Sequence, residues 1–330
     1  MMRRLLHWGL LLAVIFTAWL GWYALTDIRH ERLPLQFSLK QGSSLRATIR
    51  QMQKAGAIDS PLRFELLARL LGDTGRIQAG NYEITDPLSP YALLRKITSG
   101  DQTLEPITLV EGWTFAQVRA ALDAEPTINH DTAGLDDQEI MNRLAIDYAS
   151  PEGLFAPDTY FYADGTSDLI LLERAYQQQQ LQLDALWKQR TPGLPFESPY
   201  QALILASIVE KETGRAGERP LVAAVFINRL REGMMLQTDP SVIYGMGEKF
   251  NGNLRKIDLL TDGPYNTYTR AGLPPTPIAL PGTESLKAVL NPAPSDALYF
   301  VSRGNGTSQF SETLAEHERA VTKYQKHRKH

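Results

Sequence analysis

Residues 5–25 (LLHWGLLLAVIFTAWLGWYAL) form a run of 21 residues without a formally charged side chain. As a helix rising about 1.5 Å per residue, such a run crosses a hydrocarbon core of about 30 Å. It therefore predicts one membrane-spanning helix, with residues 1–4 on one side and everything after residue 25 on the other. Arg3 and Arg4 precede the run. Positive residues stay on the cytoplasmic side, so the N-terminus is expected in the cytoplasm and the remainder of the 330 residues outside it, with Trp19, Trp22 and Tyr23 at the far interface. A cleaved signal peptide is the competing reading. Bulky Trp19, Leu20, Trp22 and Tyr23 spoil a small-x-small cleavage site, which favours an uncleaved anchor.

The rest of the chain has the composition of a folded globular protein, 43% hydrophobic and 22% charged. A net charge of -3 lacks the basic footprint of nucleic-acid binding, and the basic end, residues 323–330, is expected to fray. With no cysteine there is neither a disulfide framework nor a thiol nucleophile.

The expected fold class is α+β: the N-terminal transmembrane helix, a small α/β module and a larger mixed α+β domain. Residues 26–34 read as a linker. A strand (35–39), a helix (45–54, with Leu45, Ile49 and Met52 along one side), a helix opened by Ser60 and Pro61 (62–71) and a strand (79–84) make a module too small for an independent catalytic core. Residues 41–44 are expected as a turn. A helix (89–99), a strand (105–110) and a helix (114–124) extend the module to residue 124. Residues 125–150 are polar and without sustained periodicity, so they read as a second linker, and 151–330 as the larger domain.

Within that domain, residues 201–214 (QALILASIVEKETG) are apolar almost all round from Leu203 to Val209, as in a helix buried in a core. Thr213 and Gly214 are expected to stop it. Glu210 and Glu212 stand near its end, about 200° apart around the helix, so they cannot share a cavity and one is expected to be solvated. The one facing a cleft has reason to stay protonated, because burial and the helix dipole both penalise its charge. The alternative is two surface glutamates paired with Lys211 and Arg215.

Around this helix the expectations are an aromatic loop at 152–161, helices at 169–189 and 221–230, a strand at 297–301 and a last helix at 311–325. Asp239 reads as the cap of a helix with Pro240 at its first position. Residues 265–270 and 272–277 are rich in proline, amides, hydroxyls and aromatics, which suits a carbohydrate with hydroxyl edges and apolar faces.

The six histidines lie outside the central stretch, and no zinc spacing, S-x-x-K, G-x-S-x-G or Walker sequence occurs, so no metal or other cofactor is expected. Gly304, Asn305 and Gly306 read as a turn. What remains is a buried glutamate beside sugar-compatible loops. Glycoside cleavage needs a protonated carboxyl on the leaving oxygen, and ordinary glycosidases add a second carboxylate. One acid suffices when the sugar's own hydroxyl attacks, because the same group gives a proton and then takes one.

The runs LASIVEKETG, VFINRL, LQTDPSVIYGMGEKFNG, YNTYT and GLPPTPIALPG closely resemble the YceG-like family of endolytic murein transglycosylases. The resemblance implies an inner-membrane enzyme with its catalytic region in the periplasm. It would cut nascent peptidoglycan between N-acetylmuramic acid and N-acetylglucosamine and leave 1,6-anhydromuramoyl ends. It also implies a LysM-like small module, and penicillin-binding proteins and other peptidoglycan synthases as neighbours. The family's essential glutamate falls in the segment matching Ile208 to Thr213. It is assigned to Glu212, nearest the helix end, with Glu210 as fallback and substrate contact. Gln237, Asn266 and Tyr268 are the expected sugar contacts. A non-catalytic peptidoglycan-binding scaffold, and a hydrolase releasing reducing ends, are the competing functions.

Overall fold

A computed structural model of the chain describes residues 2–325 other than Glu31, Gln41, Thr213 and Gly214, with side chains described from residue 7 onward. The expected helix stop at Thr213 and Gly214, the first residue of the expected turn at 41–44, and residues 326–330 of the basic end lie outside the described residues. The chain forms two compact units, residues 1–106 with 161–166, and residues 107–160 with 167–330.

The first unit begins with α1 (Met2–Leu25), the one helix among the described residues long and apolar enough to cross a membrane. It continues through β1 (Leu35–Leu39), α2 (Leu45–Ala55), α3 (Pro61–Leu70), β2 (Gly80–Ile84) and α4 (Pro90–Ser99) into β3 (Glu105–Thr108). β1 and β2 pair antiparallel, with Phe37 opposite Tyr82 and Leu35 opposite Ile84. The period-two alternation buries Phe37, Leu39, Tyr82 and Ile84 against Ile49 and Met52 of α2, Phe64 and Leu67 of α3, and Leu93, Leu94 and Ile97 of α4. Ser44 and Ser89 cap α2 and α4 through their hydroxyls, and Gly56 closes α2 at φ 80°.

Residues 26–34 do not behave as the expected linker. Ile28 is buried in this core, and its N–H donates to Leu88 O at 3.1 Å. One apolar side chain suffices to fasten a short segment when its backbone also finds a partner.

The second unit carries α5 (Phe115–Asp123), α6 (Asp137–Arg143), β4 (Thr159–Tyr162, which starts here and ends in the first unit), α7 (Asp168–Lys188) and α8 (Pro199–Glu212). Then come α9 (Arg219–Arg231), α10 (Asp239–Met246), α11 (Lys256–Leu260), α12 (Thr283–Leu290), β5 (Tyr299–Ser302), β6 (Ser308–Ser311) and α13 (Leu314–Tyr324). α8 is central. Every residue from Ala202 to Val209 is buried, and α7, α9, α10 and α12 all pack on it.

Several sequence expectations shift. Residues 125–150 contain α6, whose capping box pairs Asp136 with Glu139 and whose Ile140 and Met141 are buried, so the segment is not a bare linker. The aromatic loop at 152–161 ends in β4, and its Gly153 (φ 75°) approaches Pro277 so closely that an added Cβ would collide with the proline ring. The last helix starts at Leu314, because Thr313 and Glu316 form its capping box, which leaves Ser311 in β6. α11, α12 and β6 were not anticipated.

Candidate active site

The all-round apolar sequence of α8 locks the helix into the core and brings its polar end to a surface cleft. Glu210 and Glu212 leave that end in different directions, as a 200° rotation requires. Glu210 is tied up: Arg219 Nη2 donates to its Oε1 at 3.1 Å, while Gly282 N and Ser285 Oγ donate to its Oε2 at 2.9 and 2.7 Å. Its side chain is only 6% exposed. The glutamate away from the cleft is therefore not solvated, contrary to expectation, and neither glutamate pairs with Lys211 or Arg215: Lys211 reaches Gly112 O instead, at 3.0 Å.

Glu212 lies in the wall of a cleft of about 690 Å³, with Arg215, Glu218, Val222, Phe300 and residues of the β5–β6 hairpin from Ser302 to Ser308. Glu210 is not among the lining residues. Thr238 Oγ1 donates to Glu212 Oε1 at 2.6 Å, and no second hydrogen bond to this carboxyl occurs among the described residues. Burial pushes the Glu212 carboxyl above the ordinary range. The Thr238 hydrogen bond opposes that shift, the nearby charge of Asp239 adds to it, and Arg229 opposes it. A carboxyl raised in this way holds its proton to higher pH than a free glutamate does and can still give it up.

The segments holding the expected sugar contacts run side by side next to this glutamate. Gln237 N donates to Thr267 O at 3.0 Å, and Thr238 N to Thr267 Oγ1 at 3.0 Å. Gln237 is exposed and holds a left-handed conformation, φ 51°. Tyr268 is half-buried and donates its hydroxyl to Asp239 Oδ1 at 2.5 Å. Burial first, then the Asp239 hydrogen bond and charge, raise its phenol. Asn266 is buried. Its amide donates to Asp258 O, Leu259 O and Thr261 O, and its Oδ1 accepts from Tyr268 N at 2.9 Å, so the side chain holds the loop together and has no amide hydrogen left for a sugar.

Asp239 is not the helix cap. Thr238 occupies the N-cap position without a capping side-chain bond, its hydroxyl being turned to Glu212, and Asp239 takes the first helical position.

Sequence reading overlooked Thr238, Arg229, the hairpin lining and a second buried carboxyl. Arg229 is 8% exposed and donates to Leu298 O at 2.7 Å and Leu236 O at 2.8 Å, fastening α9 to the residue before β5 and to the segment leading into α10; burial lowers its guanidinium pKa. Its only sequence signal was a cation two places after an otherwise buried helical run. The second carboxyl is Glu152, which accepts from Phe115 N at 3.0 Å and Tyr244 Oη at 3.1 Å, with burial pushing it up to about 7. Glu218 receives Ser308 N on both oxygens, at 3.0 and 3.1 Å, and so anchors β6 at the cleft. Among the described residues no group of acidic or histidine side chains could hold a metal ion.

Residues 37–323 match the profile of the YceG-like family. The chain is 32% identical over 313 residues to an endolytic murein transglycosylase of Bacillus subtilis (strain 168), an alignment covering 90% of this chain and 86% of that protein. It is 26% identical over 325 residues to an endolytic murein transglycosylase of Streptococcus pneumoniae (strain ATCC BAA-255 / R6), covering 87% of this chain and 57% of that one. Among solved structures, a yceG-like protein from Listeria monocytogenes superposes with a TM-score of 0.56 at 29% identity, covering 86% of this chain and 98% of that chain.

Proposed function

The chain belongs to the YceG-like family, and from that premise we propose that it is an endolytic murein transglycosylase in which Glu212 acts first as acid and then as base. The observation that carries the proposal is the Glu212 carboxyl itself: in the wall of a cleft, raised by burial, with Thr238 its one hydrogen-bond partner among the described residues.

The protonated carboxyl gives its proton to the glycosidic oxygen between N-acetylmuramic acid and N-acetylglucosamine, and the bond from that oxygen to the muramoyl C1 breaks. The resulting carboxylate takes the proton of the muramoyl C6 hydroxyl as O6 bonds to C1. The products are a free 4-hydroxyl on the leaving sugar, a 1,6-anhydro ring, and Glu212 with its proton restored. Water is neither consumed nor released, and no cofactor enters.

In the same reading Gln237 and Tyr268 face the sugar, while Asn266 acts as a positioning residue behind them. Glu210 fixes α8 to α9 and to the start of α12 without touching substrate. The strand–helix–helix–strand order of the first unit supports a LysM-like, glycan-holding role for it, and the uncharged run of α1 supports an inner-membrane anchor with the rest of the chain in the periplasm. A nascent-strand substrate brings peptidoglycan synthases, penicillin-binding proteins included, into its neighbourhood.

Asp239 supplies the one observation favouring a hydrolase: a second carboxylate whose charge reaches Glu212. Its Oδ1 accepts the hydroxyl of Tyr268, so it holds that ring rather than a water. Glu212→Gln should lower turnover of purified glycan strands by about 10²–10⁴-fold with an unchanged melting curve. Asp239→Asn should retain most of the activity. Activity surviving the first substitution, or vanishing in the second without loss of fold, would overturn the assignment.

A further inference from the structure

α1 changes character part-way along its length. From residue 7 to residue 19 it is exposed on every side, although Leu10, Leu12, Val14, Ile15 and Phe16 are apolar. From Leu20 onward one face, Leu20 with Tyr23 and Ala24, is buried, and α3 and α4 pack on the helix. The uncharged run ahead of Leu20, residues 5–19, is as a helix about 22 Å long, short of the hydrocarbon core of about 30 Å. For the run to cross the membrane it must be immersed nearly to residue 25, which carries the elements packed on its last turns down to the bilayer boundary.

Those elements present what a headgroup layer accepts. The Arg63 guanidinium lies 4.9 Å from the Trp19 ring centre and 5.6 Å from that of Tyr23, and the Tyr23 hydroxyl donates to Ser60 O at 3.3 Å. Leu62, in the first turn of α3, is 80% exposed, and Trp22 is 67% exposed. Aromatic rings with an adjacent cation are the side chains enriched at membrane interfaces, where the cation reaches phosphates and the rings sit at headgroup depth. A lone exposed leucine is ordinary; one continuous with the lipid-facing surface of a spanning helix has an occupant to cover it. No slack separates helix from module, since Thr26 N still donates to Trp22 O at 3.0 Å and Ile28 is already in the core.

We propose that Trp19, Trp22 and Tyr23, together with Leu62 and Arg63 in the first turn of α3, form a docking surface for the bilayer that α1 crosses. The strand–helix–helix–strand module is then seated in the headgroup layer, in one orientation, instead of hanging from a tether. This rests on α1 being a membrane anchor, and it is independent of the chemistry at Glu212.

The chain has no cysteine, so single cysteines can carry a nitroxide label without background. Three full-length variants, Val14→Cys, Leu62→Cys and Leu181→Cys, would be reconstituted into vesicles of phosphatidylethanolamine and phosphatidylglycerol. Label depth is then read from relaxation by oxygen, which partitions into lipid, against a water-soluble nickel chelate. Position 181, exposed on α7, is the aqueous reference. Position 14 should report the hydrocarbon interior, and position 62 an oxygen-to-nickel ratio several-fold above that at position 181. Position 62 as aqueous as position 181, with position 14 in lipid, would overturn the docking surface and leave the anchor standing. Position 62 shielded from both reagents would also overturn it, by showing a protein neighbour there. An aqueous position 14 would overturn the anchor, and the docking surface with it.

Discussion

Two glutamates two residues apart sit in different surroundings because the helix turns them apart. Glu210 neutralises Arg219 in a nearly closed site, so Glu210→Ala should leave the guanidinium with only the longer contact to Glu111 at 3.8 Å and cost on the order of 3 kcal/mol, read as a lower denaturation midpoint. At Glu212 the Thr238 hydroxyl favours the charged form, and Thr238→Val removes that bond. The Glu212 pKa should then rise further, and the alkaline fall of kcat/KM should move to higher pH; movement to lower pH would contradict the arrangement. Glu152 predicts a stability effect. Its folded pKa is raised from 4.5 to about 7, so the native state holds its proton more tightly than the unfolded chain does. Stability from this group is greatest below pH 4.5 and declines as pH rises towards 7, by on the order of 3 kcal/mol. Glu152→Gln keeps an acceptor for Phe115 N and should flatten that decline in melting temperature, whereas an unchanged slope would place the titration elsewhere.

At the scale of elements, legibility followed the strength of local signals. α8 was plain from an unbroken apolar run, α2 from its amphipathic period, β1 from its alternation, and α3 from Ser60 and Pro61 at its start. α12 escaped notice although Leu286, Val289 and Leu290 are fully buried, because it is eight residues long, follows proline-rich chain and has Gly282 at its N-cap without a capping side chain. β6 escaped for a related reason, although the strand before it and the turn at 304–306 were legible: it is four residues long and mostly only partly buried, so no alternation marks it. Thr238 was hidden by Asp239 and Pro240, whose sequence imitates a cap while the threonine takes that position and turns its hydroxyl elsewhere. The importance of α8 is testable by Leu205→Ala, which should cost about 2–5 kcal/mol from a side chain with no exposure and shift the urea midpoint accordingly.

For the whole molecule, the family and the α+β class were legible because long ordered motifs survive in sequence, while the division of the chain was not. The first unit takes back residues 161–166 after the second has begun, a return that no change of composition announces. The proposed function places one reaction at one carboxyl, and its products would carry the record. Mass spectrometry of the new muramoyl termini, after the purified chain acts on long glycan strands, distinguishes the outcomes. Termini lighter by one water than a reducing muramoyl end, produced internally and absent with Glu212→Gln, are the expected result; hydrated reducing ends, or anhydro ends that persist in that variant, would contradict it.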